Sequence, residues 1–240
     1  MEKSVYRSNS RGFVDHGWLK SHHTFSFAHY FNPERMGFGA LRVLNDDQID
    51  GGTGFPFHPH RNMEIVSIPL TGGLEHKDSE GNEFVIRPGE VQVMSAGTGI
   101  IHSEYNHEAD RSANFLQIWV LPKTLNTPPR YDQGEFNWQS STGKFRTVVA
   151  PLGTDLPGLK INQDAYFAIA TAESGIELPY RWQDPQNGLY LFFVEGAGKV
   201  AGELLQPRDA IALTGTADVT ITVSNDFEKA VVLAIEVPMV

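Results

Sequence analysis

Two short stretches of this 240-residue chain carry the residue types that hold metals. One reads Gly54-Phe-Pro-Phe-His-Pro-His60, and the other reads Gly97-Thr-Gly-Ile-Ile-His-Ser-Glu-Tyr-Asn106. They supply His58 with His60 and His102 with Glu104, each pair separated by one residue. On a β-strand, residues i and i+2 face the same side, roughly 6–7 Å apart, so each pair can aim two donors at one point. Two such strands side by side would place three imidazoles and a carboxylate around a common centre. That donor set suits a divalent first-row metal and leaves positions open for a substrate. A lone His-x-His pair is often two unrelated histidines. Two spaced pairs, each in a strand-like segment beside Gly or Pro turns, argue for a metal at His58, His60, His102 and Glu104. Glu64 is a rival carboxylate, because it shares the parity of His58 and His60.

Pairs of this kind need strands to hold them, and the surrounding sequence reads as strands. From Gly51 to Leu121, turn signals recur roughly every eight to twelve residues with no helical periodicity, as in a β-sandwich or barrel. The predicted strands are Glu64–Leu70, Leu74–Lys77, Glu83–Ile86, Val91–Met94, Ile100–Tyr105 and Asn114–Leu121, with a hairpin tip at Asp78–Asn82. An earlier strand, Phe38–Leu44, is closed by Asn45-Asp46-Asp47, read as an Asx-type turn; the rival role for the two aspartates is to accept a hydrogen bond from a ligand histidine. His22, His23 and His29 lie among Phe25 and Phe27 and read as packing and surface residues. Residues 122–138, with Pro128-Pro129, read as a linker.

Short strands then resume: Phe145–Ala150, Tyr166–Ala172, Leu189–Val194, Ala210–Leu213, Val219–Val223 and Val231–Val237. The stretch Arg87–Thr98 can be laid against Gln206–Ala217, which suggests an internal repeat. Carrying the offsets across puts Ile221 and Val223 where His102 and Glu104 stand, or Thr220 and Thr222 if the register is one residue off, and puts the counterpart of His58 between Glu177 and Trp182. The second half contains no histidine. The expected organisation is all-β: a metal-binding barrel over residues 1–121, a linker over 122–138, and a second barrel without metal ligands over 139–240.

A net charge of −10 disfavours phosphate backbones and anionic membranes, and points to a small molecule or a protein as partner. With no cysteine, disulfides, thiolate ligands and a cysteine nucleophile are excluded. The N-terminal residues do not read as a secretory signal, and the longest apolar runs, Leu189–Val194 and Ala230–Ile235, are far short of a membrane span. A cytoplasmic protein is therefore expected. Gly196-Ala-Gly-Lys-Val-Ala-Gly202 reads as a hairpin, since no helix follows it. No Walker, Gly-x-Ser-x-Gly or His-Glu-x-x-His sequence is present.

His58-Pro-His60, followed by Glu64, Pro88-Gly89 and His102, resembles the cupin superfamily. Gly17-Trp-Leu, His23-Thr-Phe-Ser-Phe-Ala, Leu41-Arg-Val-Leu-Asn-Asp-Asp47, Met63-Glu64-Ile and Met94-Ser-Ala-Gly-Thr-Gly-Ile-Ile-His-Ser-Glu-Tyr-Asn106 make the likeness specific to the pirin family of bicupins. Gln117-Ile-Trp119 and Pro129-Arg-Tyr131 extend it. The resemblance implies two tandem jelly-roll barrels. It also implies a metal, Fe(II) first with Mn, Co, Ni, Cu or Zn as substitutes, held by His58, His60, His102 and Glu104. Glu64 is then left outside the ligand set. Bacterial members are associated with quercetin 2,3-dioxygenase activity, so the implied reactants are a flavonol and O2. Glu104 would be ligand and general base together, and Phe38, Phe55 and Met63 are candidate cavity walls. The alternative is a metal-bound, redox-responsive module that regulates a protein partner. A sugar-phosphate isomerase would need basic residues beside the metal; Arg61 and Arg87 are the candidates, and Arg61 has the wrong parity.

Overall fold

The turn signals resolve into antiparallel ladders that form two barrels, each made of a large sheet and a four-stranded sheet. The computed structural model describes residues 1–140 and 143–239. Among these residues the only helical turns are the 3-10 segments Ser8–Ser10 and Trp138–Ser140, and no helix is long and apolar enough to cross a membrane. The chain is all-β, with the tandem cupin architecture expected.

One unit comprises Gly12–Phe136 and Leu159–Gln163. Its large sheet runs Arg130–Glu135, Glu90–Ser95, Glu64–Thr71, Ala113–Val120, Leu41–Ile49, Leu19–His23, Gly12–Asp15. Its small sheet runs Gly54–His60, Ile100–Asn106, Leu74–Asp78, Glu83–Ile86. The buried apolar residues include a cluster around Leu19, Ile49, Leu74, Ile86 and Phe115 and another around Ile65, Met94 and Ile100. Strand Glu64–Thr71 is buried along most of its length, as befits a central strand.

The other unit comprises Met1–Arg11, Asn137–Gly158 and Asp164–Val240. Its large sheet contains, in order, Glu2–Tyr6, Ala210–Thr214, Gly188–Glu195, Lys229–Val237, Tyr166–Glu173 and Arg146–Pro151. Its small sheet runs Glu177–Arg181, Asp218–Val223, Gly198–Val200, Glu203–Leu205. The strand order repeats that of the first unit. Leu178 pairs with Ile221 as His58 pairs with His102, and Val200 flanks Ile221 as Asp78 flanks His102. Leu178, Tyr180, Ile221 and Val223 belong to a continuous apolar core.

The structure corrects the domain boundaries in three places. Residues 1–11 belong with the C-terminal barrel: Glu2–Tyr6 pairs with Ala210–Thr214 as an edge strand. Residues 122–138 are not a free linker, because Arg130–Glu135 pairs with Glu90–Ser95, Tyr131 opposite Met94. Leu159–Gln163 joins the N-terminal unit, where Asn162 N–H donates to Glu64 Oε2 (3.0 Å) and Gln163 Nε2 to the Leu121 carbonyl (2.8 Å). All three are polar edge segments whose partners are distant in sequence, so no local hydrophobic period marks them. Asn45-Asp46-Asp47 is likewise not a turn. These residues are buried within the nine-residue strand Leu41–Ile49, because it faces strands on both sides.

The N-terminal strand is pinned by Asp209, 3% exposed, which accepts from Arg7 Nη1 (2.8 Å), Ser8 N–H (2.7 Å) and Gln206 N–H (3.1 Å). Asp209→Ala leaves these donors without their acceptor, at a cost of about 2 kcal/mol. The expected outcome is a melting temperature lower by roughly 4–8 °C, with early loss of amide protection in residues 2–8, measured by calorimetry and hydrogen exchange.

Candidate metal centre

The three histidines converge because of register. His58 stands directly opposite His102, and His60 opposite Ile100, on adjacent strands of the small sheet. Residues 58 and 60 share a face, so the cross-strand pair and the i+2 pair point to one place. One ligand nitrogen from each of His58, His60 and His102 lies within 4.8 Å of the others. The ring centroids are 4.4 Å (58–102), 4.8 Å (60–102) and 4.9 Å (58–60) apart. Just beyond His102 the register shifts, so that Glu104 faces Phe55 and Tyr105 faces Gly54. A side chain at Gly54 would strike the Glu104 carbonyl oxygen (2.3 Å), so the strands can approach this closely only with glycine there.

The electrostatics are those of neutral ligands. Burial pushes the His60 pKa down to about 4 and that of His102 down to about 2, with the neighbouring imidazoles adding to the effect. His58 Nδ1 contacts the Pro56 carbonyl oxygen (2.8 Å). A carbonyl only accepts, so Nδ1 holds the proton and the lone pair stays on Nε2. Nε2 of His60 and of His102 are buried with no hydrogen-bond partner among the described residues. Convergent nitrogens, two of them buried without a partner among the described residues, fit a divalent transition metal, which takes the lone pair of a neutral imidazole.

Glu104 is not part of this cluster. Its carboxylate is fully buried and accepts from Gln117 Nε2 (2.8 Å) and Ser67 Oγ (3.3 Å). Burial, then the nearby charge of Asp47, raises its pKa to about 7. Glu64 lies elsewhere. It accepts from Ser95 Oγ (2.6 Å) and Asn162 N–H. Its parity with His58 and His60 is lost because Asn62, at φ 48°, turns the chain out of the small sheet and Glu64 begins a strand of the large one.

A cavity of about 330 Å³ opens against His58 and His60, within the usual size range for small-molecule sites. Trp18, Phe27, Phe55 and Trp119 wall it; Phe55 is a wall as expected, whereas Phe38 and Met63 do not line it. His60 and Trp119 meet edge-on at 4.9 Å, as do Trp18 and Phe55 at 5.2 Å. Among the lining residues, His23 Nδ1, Asn45 Oδ1 and Trp119 Nε1 are buried with no hydrogen-bond partner among the described residues. Asp47 also lines the cavity. Its carboxylate accepts from Ser21 Oγ, and burial raises its pKa to about 7.

Sequence reasoning passed over His76, Asp78 and Tyr131. His76 is fully buried, contacts Asp78 Oδ2 through Nε2 (3.0 Å) and His102 Nδ1 through Nδ1 (3.4 Å), and is covered by the Tyr131 ring at 4.6 Å. His76-Lys-Asp78 has the same one-residue spacing as the two ligand pairs and could have been found by that signal.

Residues 5–120 match the family model for Pirin, and residues 147–237 match that for the quercetinase C-terminal cupin domain. The chain is 39% identical over 245 residues to a protein of Escherichia coli K12 named quercetin 2,3-dioxygenase, spanning 98% of both chains. It is 41% identical over 221 residues to a pirin-like protein of Caulobacter vibrioides, spanning 92% of this chain and 94% of that one. The crystal structure of the E. coli bacterial pirin YhhW in complex with nickel(II) superposes with a TM-score of 0.91 at 36% identity, covering 100% of both chains.

A carboxyl whose folded pKa lies above its unfolded value stabilises the fold below the unfolded pKa, and that stabilisation is lost as pH rises through the folded pKa. For Glu104 the window runs from about 4.5 to about 7. Glu104→Gln mimics the protonated form at all pH. In metal-stripped protein it should therefore gain stability relative to the native chain as pH rises through that window, read by urea denaturation at a series of pH values.

Proposed function

The chain belongs to the pirin family, and on that premise we propose that it is a metal-dependent dioxygenase that opens a flavonol such as quercetin with O2, releasing CO. The observation that carries this reading is the convergence of three imidazole nitrogens beside an aromatic-walled cavity. His58, His60 and His102 would hold the metal, with Fe(II) the first choice; Glu104, which lies outside that cluster and bonds Ser67 and Gln117, would join as fourth ligand on the pirin pattern by turning from those partners. The bound cation supplies charge stabilisation to the substrate's ionised 3-oxygen.

The chain's own residues do the rest. Trp18, Phe27, Phe55 and Trp119 hold a flat aromatic ring system and keep water out. The unpaired polar atoms of His23 and Asn45 meet the hydroxyl groups such a molecule carries. Glu104 receives the proton of the 3-hydroxyl. Gln117, which lines the cavity, donates to Glu104 and orients it.

Metal-loaded protein should bleach the near-visible absorbance of quercetin only when O2 is present. His58→Ala should abolish both metal uptake and bleaching. Glu104→Gln should slow bleaching by roughly 10²–10⁴-fold. Metal-loaded native protein that leaves quercetin intact under air would refute the dioxygenase assignment. Recovery of a protein partner only with metal bound would favour the regulatory module instead.

A further inference from the structure

On the side of His102 away from His58, the small sheet carries a second row of polar groups that the cavity does not use. Strand Leu74–Asp78 places Asp78 opposite His102 and His76 opposite Glu104. Asp78 and His76 side chains are both fully buried. Asp78 is held rigidly at the hairpin tip: Oδ1 accepts from the N–H groups of Glu80 and Asn82 (3.0 Å each), and Asn82 Nδ2 donates to both oxygens (3.1 and 2.9 Å). Tyr131 covers His76, and the half-exposed Phe84 stacks on Tyr131 at 5.4 Å and 11°, which keeps water from this row.

Donors and acceptors along the row permit one order. The Asp78 carboxylate only accepts, so His76 Nε2 carries the proton between them. A neutral imidazole with its proton on Nε2 has a bare Nδ1. The contact between His76 Nδ1 and His102 Nδ1 then needs its proton from His102. With a proton on Nδ1, the lone pair of His102 lies on Nε2, the buried atom without a partner. At 3.4 Å this is a long hydrogen bond, so its weight lies in direction rather than in strength.

We propose that Asp78 is a positioning residue that acts through His76 to set the tautomer of His102 and so presents Nε2 to the metal. The inference rests on the metal-centre reading given above. It assigns the Asp78–His76 pair a role at two removes from the ion, where a carboxylate or carbonyl more commonly bonds the ligand histidine directly.

The test is histidine ¹⁵N NMR on metal-stripped protein at pH 8, with Ni(II) affinity measured by calorimetry. Native protein should show His102 protonated on Nδ1 and bare on Nε2. In Asp78→Asn, the Oδ1 contacts to Glu80 and Asn82 keep the amide in place and turn Nδ2 toward His76. That amide donates, the His76 proton moves to Nδ1, and His102 is driven to carry its proton on Nε2. The expected result is an inverted His102 tautomer and Ni(II) affinity lower by roughly 10–100-fold, with native-like circular dichroism. If Asp78→Asn does not fold, His76→Phe preserves the ring under Tyr131, and His102 should then show both tautomers in exchange. Native protein with its proton on Nε2, or a folded Asp78→Asn variant with unchanged tautomer and affinity, would overturn the proposal. Native protein with the expected tautomer but no Ni(II) uptake would overturn the metal-centre reading and with it the purpose of the relay; the reverse combination would sink the relay alone.

Discussion

Three imidazoles share a space in which the free nitrogens of two find no hydrogen bond. Leaving polar atoms without a partner costs on the order of 1–3 kcal/mol each, so the barrel tolerates an arrangement that a bound cation would relieve. Much of the surrounding structure follows from this constraint. Strand register must set His58 against His102. Gly54 must let the strands close, and burial must keep the His60 and His102 rings neutral. The same burial that leaves these nitrogens unpartnered strengthens the pull of any charge placed among them.

The second barrel shows the alternative solution to the same geometry. Where the first has His58, His102 and Asp78, the second has Leu178, Ile221 and Val200, and the space is filled by hydrocarbon. The fold itself therefore makes no demand for ligands at these positions. Polar residues there lower the stability of the first barrel relative to an apolar filling, and their presence is an argument from energetics for a functional site.

Legibility of the chain followed the range of the interactions involved. The convergence of His58 and His60 was readable because strand periodicity alone places two side chains on one face, whereas the register shift between His102 and Glu104 was not; the second barrel was readable from its strand spacing and lack of histidine. The placement of Asn45-Asp46-Asp47 in a central strand was not, because three polar residues in a row look like a turn until their cross-strand partners are known. Glu64 kept its parity on paper only; a left-handed Asn62 sends it to another sheet. His76 escaped notice because its significance depends on lying beside His102, 26 residues away, through a pairing of strands that are not consecutive in the chain.

The edge strand Glu2–Tyr6 has a consequence for biosynthesis. Its partner strand ends at Thr214, which pairs with Glu2. A ribosome adding about 5–20 residues per second needs on the order of ten to forty seconds to travel between them. During that interval the first strand emerges, and the metal-centre barrel is completed, while the opening residues still lack their mate. The lysine and arginine in that opening segment, Lys3 and Arg7, later meet Glu203 and Asp209. Until then their charges help a waiting strand stay in solution instead of joining a neighbouring nascent chain.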